Sequence, residues 1–301
     1  MKSLAMILLA TLVAATVVVV TADESVAVTF INFSDDPLPL YFYNGEDYKQ
    51  VGTVHPYSTM GQKTFVGHQF AYGEDKIPYV VEEGFVSNGK AVVPIFDHDD
   101  YDDDAVESEA SINVLCGTTK GDLHITVKPL WSPLGAVRFL ELVDEEYFDG
   151  CALNRVVPKF LTQLGIGADY HQRTKYRQAN IPDDAPQGIS FEPGTMAYAG
   201  SGPNSRSSEF FIVMPDTPES QLKYFGTNPW ETPFGFVDPE DVKNVVGAWH
   251  SYGDMPPWGK GPDPQKIYPE NGYEYLKQGF PELDYIQTCD IVDRSGVEEE
   301  L

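Results

Sequence analysis

The sequence predicts a mainly β chain of two domains, a small N-terminal β-sandwich followed by a larger antiparallel barrel capped by two helices. Three observations lead to that class. The chain has 301 residues, and at about 150 residues per domain this length suggests two. Gly (26) and Pro (23) are abundant, which favours turns over long helices. Short strand-like runs recur from Val26 to Val292, and only two helix starts interrupt them. Hydrophobic residues at 42% are enough for packed cores and too many for a disordered chain.

The first residues read as an address. Lys2 gives a positive start, Leu4 to Val20 is an uncharged apolar run, and Val20-Thr21-Ala22 offers small residues before Asp23. This order predicts a cleaved signal peptide over residues 1–22. The competing reading is an uncleaved anchor, for which the run is near the lower length limit. The mature chain is therefore expected in the secretory pathway, extracellular or in the ER lumen, with no stable membrane insertion after cleavage.

Residues 23–96 read as the sandwich. Val26, Val28 and Phe30 alternate with Ala27, Thr29 and Ile31. LPLYFY, an Asn44-Gly45 turn, TFVGHQF, YVVEE, GFVS, an Asn88-Gly89 turn and KAVVPIF follow. Asn-Gly between β-rich runs is a strong hairpin signal. Residues 97–110 contain DHDDYDDDAVESE, which cannot bury enough apolar surface to fold alone and reads as an acidic linker. A calcium loop is the alternative there, but Asp102 occupies the position where an EF-hand requires glycine.

Residues 111–294 read as the barrel and 295–301 as an acidic tail. TTKGDLHITVKP forms a hairpin around Lys120-Gly121, with Leu123, Ile125 and Val127 on one face. Ser132-Pro133 starts the first helix, with Ser as cap and Pro in the first turn, and Leu134, Val137, Phe139, Leu140 and Val143 supply its apolar side. Asp238-Pro239 starts the second, followed by Val242, Val245 and Val246. RVVPKFLTQLG, ISFEPGTMAYAG, SSEFFIVM and PFGFV are the strands between them. Gly253 to Gly272 reads as a long ordered loop, and LDYIQTCDIV as the closing strand. Antiparallel strands with few helices suggest closure into a barrel.

A net charge of −26 argues against nucleic acid as a partner. There is no GxSxG, HExxH or phosphate-cradling glycine loop, and the six histidines show no metal spacing. Hydrolase, kinase and metalloenzyme chemistry therefore lack support. What stands out is Arg155 among apolar and amide residues in LNRVVPKFLTQ. By itself, such an arginine in so acidic a chain reads as a surface ion pair.

The neighbouring words give it another meaning. RVVPKFLTQ resembles the Arg-Val-Ile-Pro-x-Phe-x-x-Gln of the cyclophilin-type peptidyl-prolyl isomerases, and GPNSRSSEFF resembles their Gly-Pro-Asn-Thr-x-x-Ser-Gln-Phe-Phe. TTKGDLHITV, SPLGAVRFLELV, WETPFGFV and DYIQTCDIV follow the family's order, so the resemblance covers residues 118 to 292. It implies an eight-stranded barrel, cis/trans isomerisation of X-Pro bonds in proline-containing polypeptide clients, and no cofactor or metal. It assigns Arg155 as catalytic, with Phe160, Leu161, Gln163, Ala197, Phe211, Tyr224 and Phe225 binding substrate. It also makes a Cys116–Cys289 disulfide plausible, since the strands carrying them are neighbours in the resembled barrel, and leaves Cys151 odd.

The departures are specific. The family's Phe-His is Leu153-Asn154 here, its Gly-Gly-Asp is Leu164-Gly165-Ile166, its Gln before Phe-Phe is Glu209, and Glu231 falls where its pocket histidine stands. A reshaped pocket leaves open a non-catalytic peptide-binding protein on the same fold. FINFSDDPLPLYFYN and GTVHPYSTMGQKTFVGHQF resemble the β-domain of the von Hippel–Lindau tumour suppressor. This resemblance implies a site for a proline or hydroxyproline peptide at Thr64, His68 and Phe70, with Val51 in place of the pocket tyrosine. Asn32-Phe33-Ser34 is either an N-glycosylation sequon or a turn element, and Glu299-Glu300-Leu301 ends like an ER-retention signal with Glu298 in place of the usual basic residue.

Overall fold

The computed structural model describes residues 25–81, 90–96 and 111–292. The expected signal peptide, the GFVS run with its Asn88-Gly89 turn, the expected acidic linker and the acidic tail lie outside the described residues. Among the described residues no helix is long and apolar enough to cross a membrane.

The N-terminal domain packs two sheets face to face. One contains β1 (Val26–Asn32), β4 (Thr59–Thr64) and β7 (Lys90–Ile95), with β1 central, antiparallel to β4 and parallel to β7. The other runs in the order β3 (Tyr48–Val54), β2 (Leu38–Tyr43), β5 (Gln69–Tyr72), β6 (Ile77–Val80). The alternation in β1 decides its inward face: Val26, Val28 and Phe30 are buried against Leu40, Phe70 and Val93 of the sandwich core. Phe30 and Phe70 pack with ring centroids 5.1 Å apart. The Asn44-Gly45 turn joins β2 to β3 as expected, and Asn44 Oδ1 accepts the N–H groups of Glu46 and Asp47.

TFVGHQF is not one strand. β4 stops at Thr64 and β5 starts at Gln69, because Gly67 takes a left-handed φ of 85° and turns the chain. The sequon is a turn element. Asn32 is fully buried, its Nδ2 donates to the carbonyls of Asp36 and Val54, and its Oδ1 accepts from Ser34. Both amide hydrogens are engaged in the core, which leaves no room for a glycan in the folded domain.

The second domain is a curled antiparallel sheet of eight strands in the order β10-β11-β13-β12-β14-β9-β8-β15. These are β8 (Ile112–Thr118), β9 (Gly121–Val127), β10 (Arg155–Val157), β11 (Leu161–Leu164), β12 (Thr195–Tyr198), β13 (Phe210–Val213), β14 (Pro233–Val237) and β15 (Ile286–Val292). The sheet is joined end to end by a bridge between Ala152 and Tyr285, with Leu153 N–H on the Asp284 carbonyl and Ile286 N–H on that of Cys151. The expected helices are α1 (Pro133–Asp144) and α4 (Pro239–Asn244). Two further two-turn helices, α2 (Tyr170–Arg177) and α6 (Gly272–Gly279), and two single-turn ones, α3 (Glu219–Leu222) and α5 (Pro264–Ile267), were not evident in the pattern. The loop read over Gly253 to Gly272 thus contains α5.

Ser132 precedes α1 but does not cap it through its side chain. Asp184, remote in sequence, accepts the Leu134 and Gly135 N–H groups and the Ser132 hydroxyl, and pairs at 3.0 Å with the buried Arg206 guanidinium. A carboxylate at a helix N-terminus is favourable both as acceptor and as charge. Gly165 follows β11 with φ 108°, and a Cβ there would lie 2.2 Å from the Ser208 carbonyl oxygen, so only glycine fits.

The two domains share apolar packing. Ile31 points away from the sandwich core, and with Phe33, Tyr57 and Phe96 it joins the core that contains Phe139, Leu140 and Phe234 of the barrel. Cys116 and Cys289 sit opposite each other on β8 and β15 and form a disulfide, while Cys151 stays a free, buried thiol. Burial pushes the Cys151 thiol up to about 12, so it is protonated and unreactive at neutral pH.

Replacing both Cys116 and Cys289 by serine should lower stability by about 2–4 kcal/mol in denaturant titration. A loss below about 1 kcal/mol would show that strand pairing alone holds β15 in place.

Candidate functional site

Sheet register assembles the site. Arg155 on β10 lies directly opposite Gln163 on β11, Gln163 opposite Phe211 on β13, and Phe211 opposite Ala197 on β12. Residues directly opposite in an antiparallel pair share a face, so these four form a row across four strands. Leu161 joins the same face two residues before Gln163. The turn between β10 and β11, with Lys159 at φ 62°, places Phe160 beside the row, and the Arg155 guanidinium lies 5.7 Å from the centre of its ring.

The row borders a cleft of about 1100 Å³. Its apolar end is a stack of phenylalanines. Phe225 lies 5.4 Å from Phe160, 5.2 Å from Phe211 and 5.5 Å from Phe191, with interplanar angles of 22–26°. Phe191 was not among the expected site residues. It extends the stack and packs 6.2 Å from Phe211. Flat apolar rings beside a cation suit a small saturated ring carried on a polar backbone.

The polar end is a hydrogen-bonded chain. Arg155 donates through Nε and Nη2 to the two oxygens of Asp254, at 2.7 and 3.2 Å, and through Nη1 to Gln163 Oε1 at 2.9 Å. Gln163 Nε2 then donates to Glu209 at 2.9 Å, and the Tyr268 hydroxyl donates to the other Glu209 oxygen at 2.5 Å. Partial burial pushes the Asp254 carboxyl up, but the hydrogen bonds and charge of Arg155 outweigh this and hold it below the ordinary aspartate value. At Glu209 burial prevails: its carboxyl is raised despite hydrogen bonds from Tyr268 and Gln163 and the charges of Arg177 and Arg155.

Phe160, Leu161, Gln163, Phe211 and Phe225 all line the cleft with Arg155. Ala197 does not reach its surface. It is fully buried in the apolar cluster with Leu161 and Phe211, and Ala199, two residues on, takes the place at the wall. Tyr224 is at the rim and 76% exposed. Glu231, where the resembled family has histidine, accepts the Gly226 N–H and an Asn228 amide hydrogen and so fixes the loop that carries Phe225. Asn154 is buried with neither side-chain polar atom hydrogen-bonded. Asp254 and Tyr268 are not among the expected site residues; both lie in the Gly- and Pro-rich stretch that the sequence marks only as an ordered loop.

In the first domain Thr64 Oγ1 lies 2.8 Å from His68 Nδ1, and the Phe42 ring sits 5.3 Å from His68 and 5.4 Å from Phe70. The three expected residues therefore come together. Thr64 and Phe70 are buried, however, so of the three only His68 offers appreciable surface. Among the described residues no group of three or more His, Cys, Asp or Glu side chains is placed to hold a metal.

Residues 113–247 match the family model for the cyclophilin type peptidyl-prolyl cis-trans isomerases. The barrel is a cyclophilin-type domain. It is 32% identical over 108 residues to a peptidyl-prolyl cis-trans isomerase of Acinetobacter baylyi, covering 36% of this chain and 57% of that protein. It is 30% identical over 143 residues to peptidylprolyl isomerase cyp7 of Schizosaccharomyces pombe, covering 47% of this chain and 29% of that one. The chain thus spans less than two thirds of either relative. A cyclophilin type peptidyl-prolyl cis-trans isomerase of Cryptosporidium parvum superposes with a TM-score of 0.41 at 18% identity, over 61% of this chain and 99% of that one. The matched region stops before the segment that supplies Asp254 and Tyr268 to the cyclophilin-type cleft.

A raised carboxyl in the folded state gives a definite sign. The protonated form of Glu209 fits the fold better, so its contribution to stability is complete below about pH 4.5 and is lost as pH rises through the raised value. Glu209→Gln removes the ionisation. Thermal melts across the range from about pH 4 to pH 8 should show the variant gaining on the native chain as pH rises. The slope carries the test, because the amide also changes one hydrogen bond at every pH. Parallel melting curves would mean that Tyr268 and Gln163 fully compensate the buried carboxylate.

Proposed function

We propose that the chain is a peptidyl-prolyl cis-trans isomerase of the secretory pathway, acting on proline-containing polypeptide clients. The observation that carries this reading is the Arg155 guanidinium, held at the edge of a phenylalanine stack with donors to spare. A guanidinium has five N–H donors. Three are engaged by Asp254 and Gln163, which leaves two for a bound peptide.

Rotation about an amide costs about 18–20 kcal/mol because resonance stiffens the C–N bond. In the twisted transition state the proline nitrogen becomes pyramidal and recovers its lone pair. A donor aimed at that nitrogen binds the twisted form better than either planar form, which is the condition for catalysis. The phenylalanine stack would seat the prolyl ring, and Gln163 would fix both the guanidinium and the peptide backbone. No proton changes owner and no cofactor is required. The cleavable leader pattern and the Cys116–Cys289 disulfide support passage through an oxidising compartment. A second reading, a non-catalytic proline-peptide binder, draws support from Phe225, which occupies the middle of the aromatic stack.

Arg155→Ala separates the two. Loss of a preorganised transition-state donor costs about 2.7–4 kcal/mol, or about 10²–10³ in rate. Exchange spectroscopy on an X-Pro peptide should show at least about a hundredfold loss of kcat with little change in affinity. Arg155→Lys should recover little, since an ammonium lacks the planar fork. A native chain that binds the peptide without accelerating its isomerisation would establish the binder.

The N-terminal domain fits a role in choosing clients. His68 is its accessible polar group beside Phe42 and Thr64. The full chain should bind a hydroxyproline peptide more tightly than its proline twin in calorimetry, and His68→Ala should abolish the difference. Equal binding of the two peptides would leave the domain a structural partner of the barrel.

A further inference from the structure

The segment after the cyclophilin-type region returns to the cleft. Residues 113–247 match the family, yet Asp254, Met255, Pro256, Pro264, Gln265 and Tyr268 all line the same cavity as Arg155. One contact dominates. Both Asp254 oxygens engage the guanidinium, through Nε and Nη2, in the two-pronged geometry that makes arginine–carboxylate pairs strong and directional.

Asp254 is itself held in place. Its Oδ1 also accepts the Met255 N–H at 2.7 Å, and its carbonyl accepts the Gly261 N–H at 2.8 Å. Gly259 folds back so tightly that a Cβ there would lie 2.2 Å from the Asp254 carbonyl oxygen. Ser251 donates to the Val156 carbonyl at 2.5 Å and accepts the Gly253 N–H at 3.0 Å, which fastens the loop to β10 beside Arg155. The carboxylate is thus fixed before any peptide arrives. Without it the guanidinium, 13% exposed, would keep only Gln163 and the face of Phe160 as partners.

We propose that Asp254 is a positioning residue for the isomerisation: it grips one edge of the Arg155 guanidinium and so presents the two unused N–H donors at a fixed angle to the proline nitrogen. The inference rests on the isomerase reading. Misplacing a catalytic group by about 1 Å can cost a hundredfold in rate, whereas the peptide's own contacts with the phenylalanine stack do not involve Asp254. The role should therefore appear in kcat and not in KM.

The test uses the full chain and a short X-Pro peptide. Asp254→Asn keeps the shape of the side chain and removes the charge and one acceptor. It should lower kcat at least about tenfold and leave KM within about twofold. In an Arg155→Ala background the same substitution should change nothing further, because there is no guanidinium left to position. The Arg155 Nε–H proton, read by NMR, should exchange with water at least about tenfold faster in Asp254→Asn than in the native chain. An Asp254→Asn chain with native or raised kcat, or one that loses further rate in the Arg155→Ala background, overturns the inference while leaving the enzyme reading intact. A native chain without isomerase activity overturns both.

Discussion

A largely buried guanidinium cannot be left unpaired, and much of the second domain is arranged around that constraint. Arg155 sits against a phenylalanine ring at the edge of the apolar stack, where the loss of water would be costly without compensating partners. Asp254 supplies the compensation, so the chain after β14 and α4 must travel back across the cleft. That course in turn needs anchors. Buried Arg173 on α2 donates to the carbonyls of Ala168, Tyr268, Pro269 and Glu270, and Arg177 lies 4.0 Å from the Tyr268 ring centre. A satellite core of Ile166, Ile267, Leu276 and Leu283 holds the rest. The polar contacts and the satellite core together fix the part of this segment that follows Asp254.

How much of this the sequence disclosed depended on distance along the chain. Arg155, Phe160, Leu161 and Gln163 fall within nine residues and Phe211 in a second compact word, so their association could be read directly. The β8–β9 and β2–β3 turns and the starts of α1 and α4 were equally plain, because Gly, Pro and Asn act locally. Asp254 stands 99 residues from Arg155, and Tyr268, which donates to Glu209, is one tyrosine among 17. Helix α2 escaped notice because only Arg173 and Tyr176 of YHQRTKYR are buried, so no apolar period marks it. Ser132 looked like a cap but yields that task to Asp184, a choice made by tertiary structure.

The burial pattern of β1 carries a related lesson. Alternation correctly placed Val26, Val28 and Phe30 inward, and the same logic would expose Ile31. It is buried instead, because its side chain enters the core of the other domain with Phe33 and Phe96. Ile31 at the end of β1 thus links the two cores, which couples the stability of the sandwich to that of the barrel.

The position of β15 has a consequence for biosynthesis. This last strand pairs with β8, the first of the domain, and the bridge from Ala152 to Tyr285 joins the two ends of the sheet. Every other strand can be in place while β8 still has an open edge. Closure must await residues 286–292, so the domain completes itself only after nearly all of it has left the ribosome. Until then the unpaired edge of β8 is a surface on which a nascent chain could pair with a neighbour. The thiol of Cys116 waits on that same edge for a partner that is translated 173 residues later, which ties the oxidation of this pair to the arrival of β15.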